Sequence, residues 1–157
     1  MVIPSFEQIM SWLDEAGIGY YQCEHCQALH IKHIQSLNDV YDAKIDFIDD
    51  ILYYTLIAEV RPSAVPTLMT ELSQINAASP IIKAYLDIQD DSSPKLVLLH
   101  SVNCGEGLSV NQFSLFLLRV EEDALQVINE VKNCDLLAYV DQDNNDNLSG
   151  KDLSTYH

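Results

Sequence analysis

The chain has 157 residues, 48% of them apolar, and sets 24 Asp and Glu against 8 Lys and Arg, a formal net charge of −16. A length of this order suits one domain able to bury about 68–70% of its unfolded surface, and the apolar share excludes a disordered chain. The six lysines and two arginines (Arg61, Arg119) are scattered and form no basic stripe, which excludes nucleic acid and anionic membranes as natural partners. A basic protein surface or a cation is the complement such a charge favours, although surplus acid also serves plain solubility.

The first four residues carry no basic segment, and no apolar run approaches the roughly 18–20 residues of a membrane span, so a cytoplasmic location is expected. Cys23, Cys26, Cys104 and Cys134 are irregularly spaced. They read as reduced thiols in a domain large enough to dispense with disulfides.

In chain order, Ser5 and Gln8 suit a capping box before a helix whose apolar positions are Phe6, Ile9, Met10 and Leu13, ending near Gly17 or Gly19. Short β-rich stretches follow at 20–23 and 28–31. Residues 40–47 alternate, with Ala43, Ile45 and Phe47 on the face opposite Asp42, Lys44 and Asp46. Asp49-Asp50 predicts a tight hairpin turn into 51–60, a run apolar on both parities and therefore the central strand. Arg61-Pro62 breaks that strand. Ser63 is then placed to cap a second helix with Val65, Leu68, Met69, Leu72 and Ile75 on one stripe.

Two further strands, 82–88 and 95–102, are joined through Asp90–Pro94 turn chemistry. Ser109 and Gln112 open a long third helix burying Phe113, Phe116, Leu117, Val120, Ala124, Val127, Ile128 and Val131. The expectation is an α+β fold with an antiparallel sheet of about five strands and three helices, order α-β-β-β-α-β-β-α. Residues 1–134 form that single domain, and 135–157 an acidic, Asn/Asp-rich tail.

Two constellations suggest chemistry. Cys23, Cys26, His30 and His33 have the donor types and close spacing of a zinc site. Against this, an extended chain points residues three apart to opposite faces, Glu24-His25 would have to turn without a glycine, and no second ligand pair follows downstream. The same Cys-x-x-Cys does not open a helix, as a redox motif would. In the tail, Asp141, Asp143, Asn145, Asn147 and Asp152 fall at calcium-loop positions. Asp146 replaces the glycine of the sharp turn, however, and Asp152 replaces the longer glutamate.

Gly105-Glu106-Gly107 reads as an ordinary turn, because Glu106 would repel phosphate. No hydrolase, zinc-protease or P-loop pattern occurs. Neither a cofactor nor a catalytic residue is expected.

Four segments together resemble the YbjN family of bacterial sensory-transduction regulators: Cys23-x-x-Cys26-Gln-Ala-Leu-His30, Asp42-Ala-Lys-Ile-Asp46, Ala58-Glu-Val-Arg-Pro-Ser-Ala64 and Lys83-Ala-x-Leu-Asp-x-Gln-Asp90. The resemblance implies a fold similar to type III secretion chaperones, small acidic proteins, often dimeric, that bind a protein segment. It also implies a regulatory role in motility, exopolysaccharide production or stress. The acidic tail lies outside it.

The functional expectation is a non-enzymatic cytoplasmic regulator that binds a protein partner, with a homodimer through a helix or a sheet edge left open. Trp12, Tyr20, Tyr21, Tyr53 or Tyr54 would contribute to its apolar surface. The alternative is a metal- or redox-responsive sensor built on Cys23, Cys26, His30 and His33.

Overall fold

A computed structural model describes residues 1–139. The calcium-loop positions Asp141, Asp143, Asn145, Asn147 and Asp152 lie outside the described residues. In chain order the elements are α1 (Phe6–Glu15), β1 (Tyr20–Gln22), β2 (Leu29–Ile31), α2 (Lys32–Gln35), β3 (Asp42–Ile48) and β4 (Ile51–Glu59). A 3₁₀ turn at Pro62–Ala64 then leads to α3 (Val65–Ala78), β5 (Lys83–Asp87), β6 (Lys95–Asn103) and α4 (Val110–Asn133).

The strands form one antiparallel sheet in the order β1-β2-β3-β4-β6-β5. Among the described residues there are six rather than about five, because both short stretches near the N-terminus become strands. Each is three residues long, too short for alternation to declare it, and pairing of Tyr21 with His30 makes them a hairpin. The single turn α2 is likewise an addition to the expected order.

Local chemistry explains the boundaries. Ser5 accepts the Gln8 amide at 3.1 Å, and Gly17, at φ +71°, lets the Ile18 amide bond back to the Leu13 carbonyl at 3.0 Å and close α1. Asp49 and Asp50 both take left-handed φ (52° and 61°) in a two-residue loop, the turn whose twist suits a hairpin. At α4 the capping box is complete, with Ser109 and Gln112 exchanging bonds of 3.1 and 2.9 Å, and the eight expected residues are the ones buried.

The second helix departs from its reading. Ser63 lies inside the 3₁₀ turn and caps nothing; α3 begins after Ala64 with Pro66 in its first turn. Of the expected stripe only Leu68 is fully buried, and Met69 is 60% exposed. The helix lies at the sheet edge, where Asn76 takes the place of a neighbouring strand by bonding the Ala84 amide (2.8 Å) and carbonyl (3.0 Å).

Helices α1, α3 and α4 pack on one face of the sheet. There Ile9, Leu13, Leu68, Phe113 and Val120 meet Ile45, Leu52, Tyr54, Leu56, Leu96 and Leu98 in the apolar core. Trp12 stacks obliquely on Phe113 (5.3 Å between centroids), and Tyr54 is wholly buried, so neither adds to an exposed patch as the sequence suggested. The chain beyond α4 also packs on the domain. Leu137 is buried and bridges Val60, and the Ala138 amide donates to the Glu59 carbonyl at 2.9 Å. No helix among the described residues is long and apolar enough to cross a membrane.

Candidate functional site

Strand parity separates the sheet into two faces. Leu52, Tyr54, Leu56 and Ala58 of β4 point to the helices; Tyr53, Thr55 and Ile57 point away, to a face that no helix covers among the described residues apart from the corner at α2. Register assembles this outer face into rows. Tyr85, Val97, Ile57 and Asp42 form one, and Lys83, Leu99, Thr55, Lys44, His30 and Tyr21 run across the whole sheet as another. Val97 and Thr55 are buried although they stand apart from the main core. Tyr53, Ile57, Tyr85 and Leu99 crowd around them in a shallow groove edged by Lys44, Asp46 and Asp87.

The β1 end of the same face carries a polar corner. The chain turns at Glu24–Cys26 and re-enters β2 through Gln27, whose φ of 56° is left-handed. The sequence argument against this cluster assumed an extended chain and no turn without glycine. Gln27 supplies the turn instead, and the Cys23 amide donates to the Ala28 carbonyl at 3.4 Å to close it. As a result one ligand atom each from Cys23, Cys26 and His30 lies within 4.8 Å of the others.

His33 is not part of the group. It sits on α2 and turns to the other side, with Nε2 3.4 Å from a Glu121 carboxylate oxygen.

Second contacts fix the corner. His30 Nδ1 stands 2.8 Å from Asp42 Oδ1, and a carboxylate only accepts, so Nδ1 donates there, while Nε2 lies 3.3 Å from Cys26 Sγ. Asp42 Oδ1 also accepts the Ala43 amide (2.8 Å) and the Gln35 side chain (3.3 Å), and Gln35 Oε1 accepts the Tyr21 hydroxyl at 2.9 Å. The Tyr21 ring stacks on His30, 4.9 Å between centroids and 12° from parallel.

The His25 amide points at Cys23 Sγ (3.4 Å). This bond, aided by the neighbouring Cys26 side chain and amide, holds the Cys23 thiol down at about 7. The order Cys26–His30–Asp42 is also that of a thiol hydrolase relay. Such chemistry needs amides aimed at a developing oxyanion, whereas the His25 amide is already engaged by Cys23.

Tyr21 and Tyr53 are thus on the outer face as the aromatic reading allowed. Asp42, Gln35, Ile57, Tyr85, Val97 and Leu99 were missed. The alternation of residues 40–47 places Asp42 opposite Ala43 and Ile45 without giving it a partner. Its signal was parity: it points to the same side as His30 from the next strand.

A sequence profile of the YbjN family, described as "Putative bacterial sensory transduction regulator", matches residues 5–133. The chain is 42% identical over 149 residues to the "Uncharacterized protein YbjN" of Escherichia coli K12, and equally to the protein of that name from Shigella flexneri. The match covers 95% of this chain and 94% of each relative. The crystal structure of YbjN, "a putative transcription regulator from E. coli", superposes with a TM-score of 0.86 at 43% identity, covering 89% of this chain and 99% of that one. A protein from Methanothermobacter thermautotrophicus, 16% identical with a TM-score of 0.53 over 81% of this chain and 96% of its own, shares the fold.

Proposed function

The chain belongs to the YbjN family, and from that premise we propose that it is a cytoplasmic regulator that acts by binding another protein through the outer face of its sheet, without catalysis. The observation that carries this reading is the apolar groove of Tyr53, Ile57, Tyr85 and Leu99 around the buried Val97 and Thr55. A contiguous apolar surface of this kind, rimmed by charge, is what protein recognition uses.

The net charge of −16 supports a partner whose apolar side chains are flanked by basic ones. It also favours regulation through a protein rather than through operator DNA, even though the E. coli relative is described in terms of transcription. The long process list implied by the family, motility, exopolysaccharide production and stress, fits a protein that modulates others.

The test is site-specific photo-cross-linking in cells, with a benzophenone amino acid in place of Tyr53 and, as a comparison, in place of Leu118 on the solvent side of α4. Discrete adducts from position 53 that are absent from position 118 support the reading. Adducts from 118 alone overturn it and move recognition to the helix. A single adduct of twice the chain mass from position 53 identifies the occupant as a second copy, and so overturns a foreign partner.

A further inference from the structure

We propose that Cys23, Cys26 and His30 form a zinc site, held from behind by Asp42 and independent of the reading of the outer face as a docking surface. Two thiols and an imidazole are a donor set that Zn²⁺ prefers. Tetrahedral bonds of about 2.3 Å to sulfur and 2.0–2.1 Å to nitrogen place ligand atoms roughly 3.6–3.8 Å apart. Cys26 Sγ and His30 Nε2 are 3.3 Å apart and all three ligand atoms lie within 4.8 Å, so the geometry closes on an ion by small side-chain rotations.

Three further observations point the same way. The His25 amide is aimed at Cys23 Sγ, as backbone amides are where they stabilise a ligating thiolate in a tight turn. His30 Nδ1 is tied to Asp42, the carboxylate–histidine arrangement that fixes the tautomer and leaves Nε2 free to ligate. Asp42 is itself held by Ala43 and Gln35, and Tyr21 lies flat on the ring, so the imidazole is oriented before any ion arrives.

On binding, the protons the thiols still hold pass to solvent, and the two positive charges enter a strongly acidic protein. Three protein ligands leave a fourth position for water. Of the three ligands, Cys26 also lines a recess with Phe6, Gln22, Gln27, Asp46 and Phe47, which offers an approach from solvent. Zinc here would clamp the tip of the β1–β2 hairpin onto β2 at the end of the outer face.

The experiment uses the full chain without a histidine tag, reduced and stripped of metal. It is titrated with Zn²⁺ against a chromophoric chelator, and the metal per chain is counted by mass spectrometry after dialysis. One zinc per chain is expected, lost in Cys23→Ser and Cys26→Ser, kept in Cys134→Ser and His33→Ala, and bound about 10- to 100-fold more weakly by Asp42→Asn.

Co²⁺ in place of zinc should give thiolate charge-transfer bands and the visible bands of a tetrahedral ion. That reading on the wild-type protein does not depend on any variant folding. Failure of the reduced wild type to retain zinc overturns the proposal. So does equal retention by the Cys23→Ser/Cys26→Ser double variant, or a Co²⁺ spectrum without thiolate bands.

Discussion

The two faces of the one sheet are built on different terms. The inner face is mostly apolar and closed by α1, α3 and α4: Leu13, Leu52, Leu56, Leu96 and Phe113 are almost or wholly without exposure, and the buried Tyr54 hydroxyl donates to Glu121 at 2.8 Å. The outer face mixes a shallow apolar groove with a hydrogen-bonded polar corner, where Asp42 Oδ1 alone serves His30, Gln35 and Ala43. Apolar packing tolerates exchange of one hydrophobic group for another, whereas a hydrogen-bonded corner depends on each member. The difference teaches where stability and recognition reside: mutations should affect them separately.

The contrast can be broken most severely from the inner side. Phe113→Ala removes a ring packed against Trp12 and should lower unfolding free energy by about 3–5 kcal/mol in a denaturant titration. Zinc stoichiometry of the folded fraction should stay the same, because Phe113 belongs to the inner core whereas His30 and Asp42 stand on the outer face.

A gentler probe lies at the rim of the same face. His100 packs on Phe116 (5.5 Å between centroids), and burial holds its imidazole below the ordinary range despite opposing contributions from the Ile81 backbone and Asp123. The unfolded chain takes up that proton near a pH of about 6.5 while the folded chain stays neutral. The stability due to neutral His100 is therefore fully present above that pH and shrinks as pH falls through it toward the lower folded value. Thermal melts of His100→Gln should show a flatter dependence over that window than the wild type; an identical slope would remove His100 from the balance.

How far this was legible in the sequence also divides by face. The inner face was: α4's eight buried positions follow a helical period over 24 residues, and the Asp49-Asp50 turn and Gly17 cap rest on local backbone chemistry. The outer face was only half visible. The 51–60 run is apolar on both parities, which marked β4 as central but did not show that its Tyr53 side lacks a helical cover among the described residues.

The corner was obscured for a third reason. Its ligands come together through the left-handed Gln27, a conformation that glutamine does not advertise, and its support from Asp42 exists only once β2 and β3 pair. His33, adjacent in sequence, was drawn away by Glu121 on α4, a contact 88 residues distant that no local pattern encodes.

The claim at the centre is that the outer face recognises a partner without supporting the fold, and one variant tests both halves. Leu99→Glu places a carboxylate in the middle of the groove, opposite Thr55 and beside Lys83. The predicted result is a stability loss of about 1 kcal/mol with native circular dichroism, together with loss of the cross-linked adducts formed from position 53. Adducts formed at undiminished yield by the folded Leu99→Glu protein would contradict it.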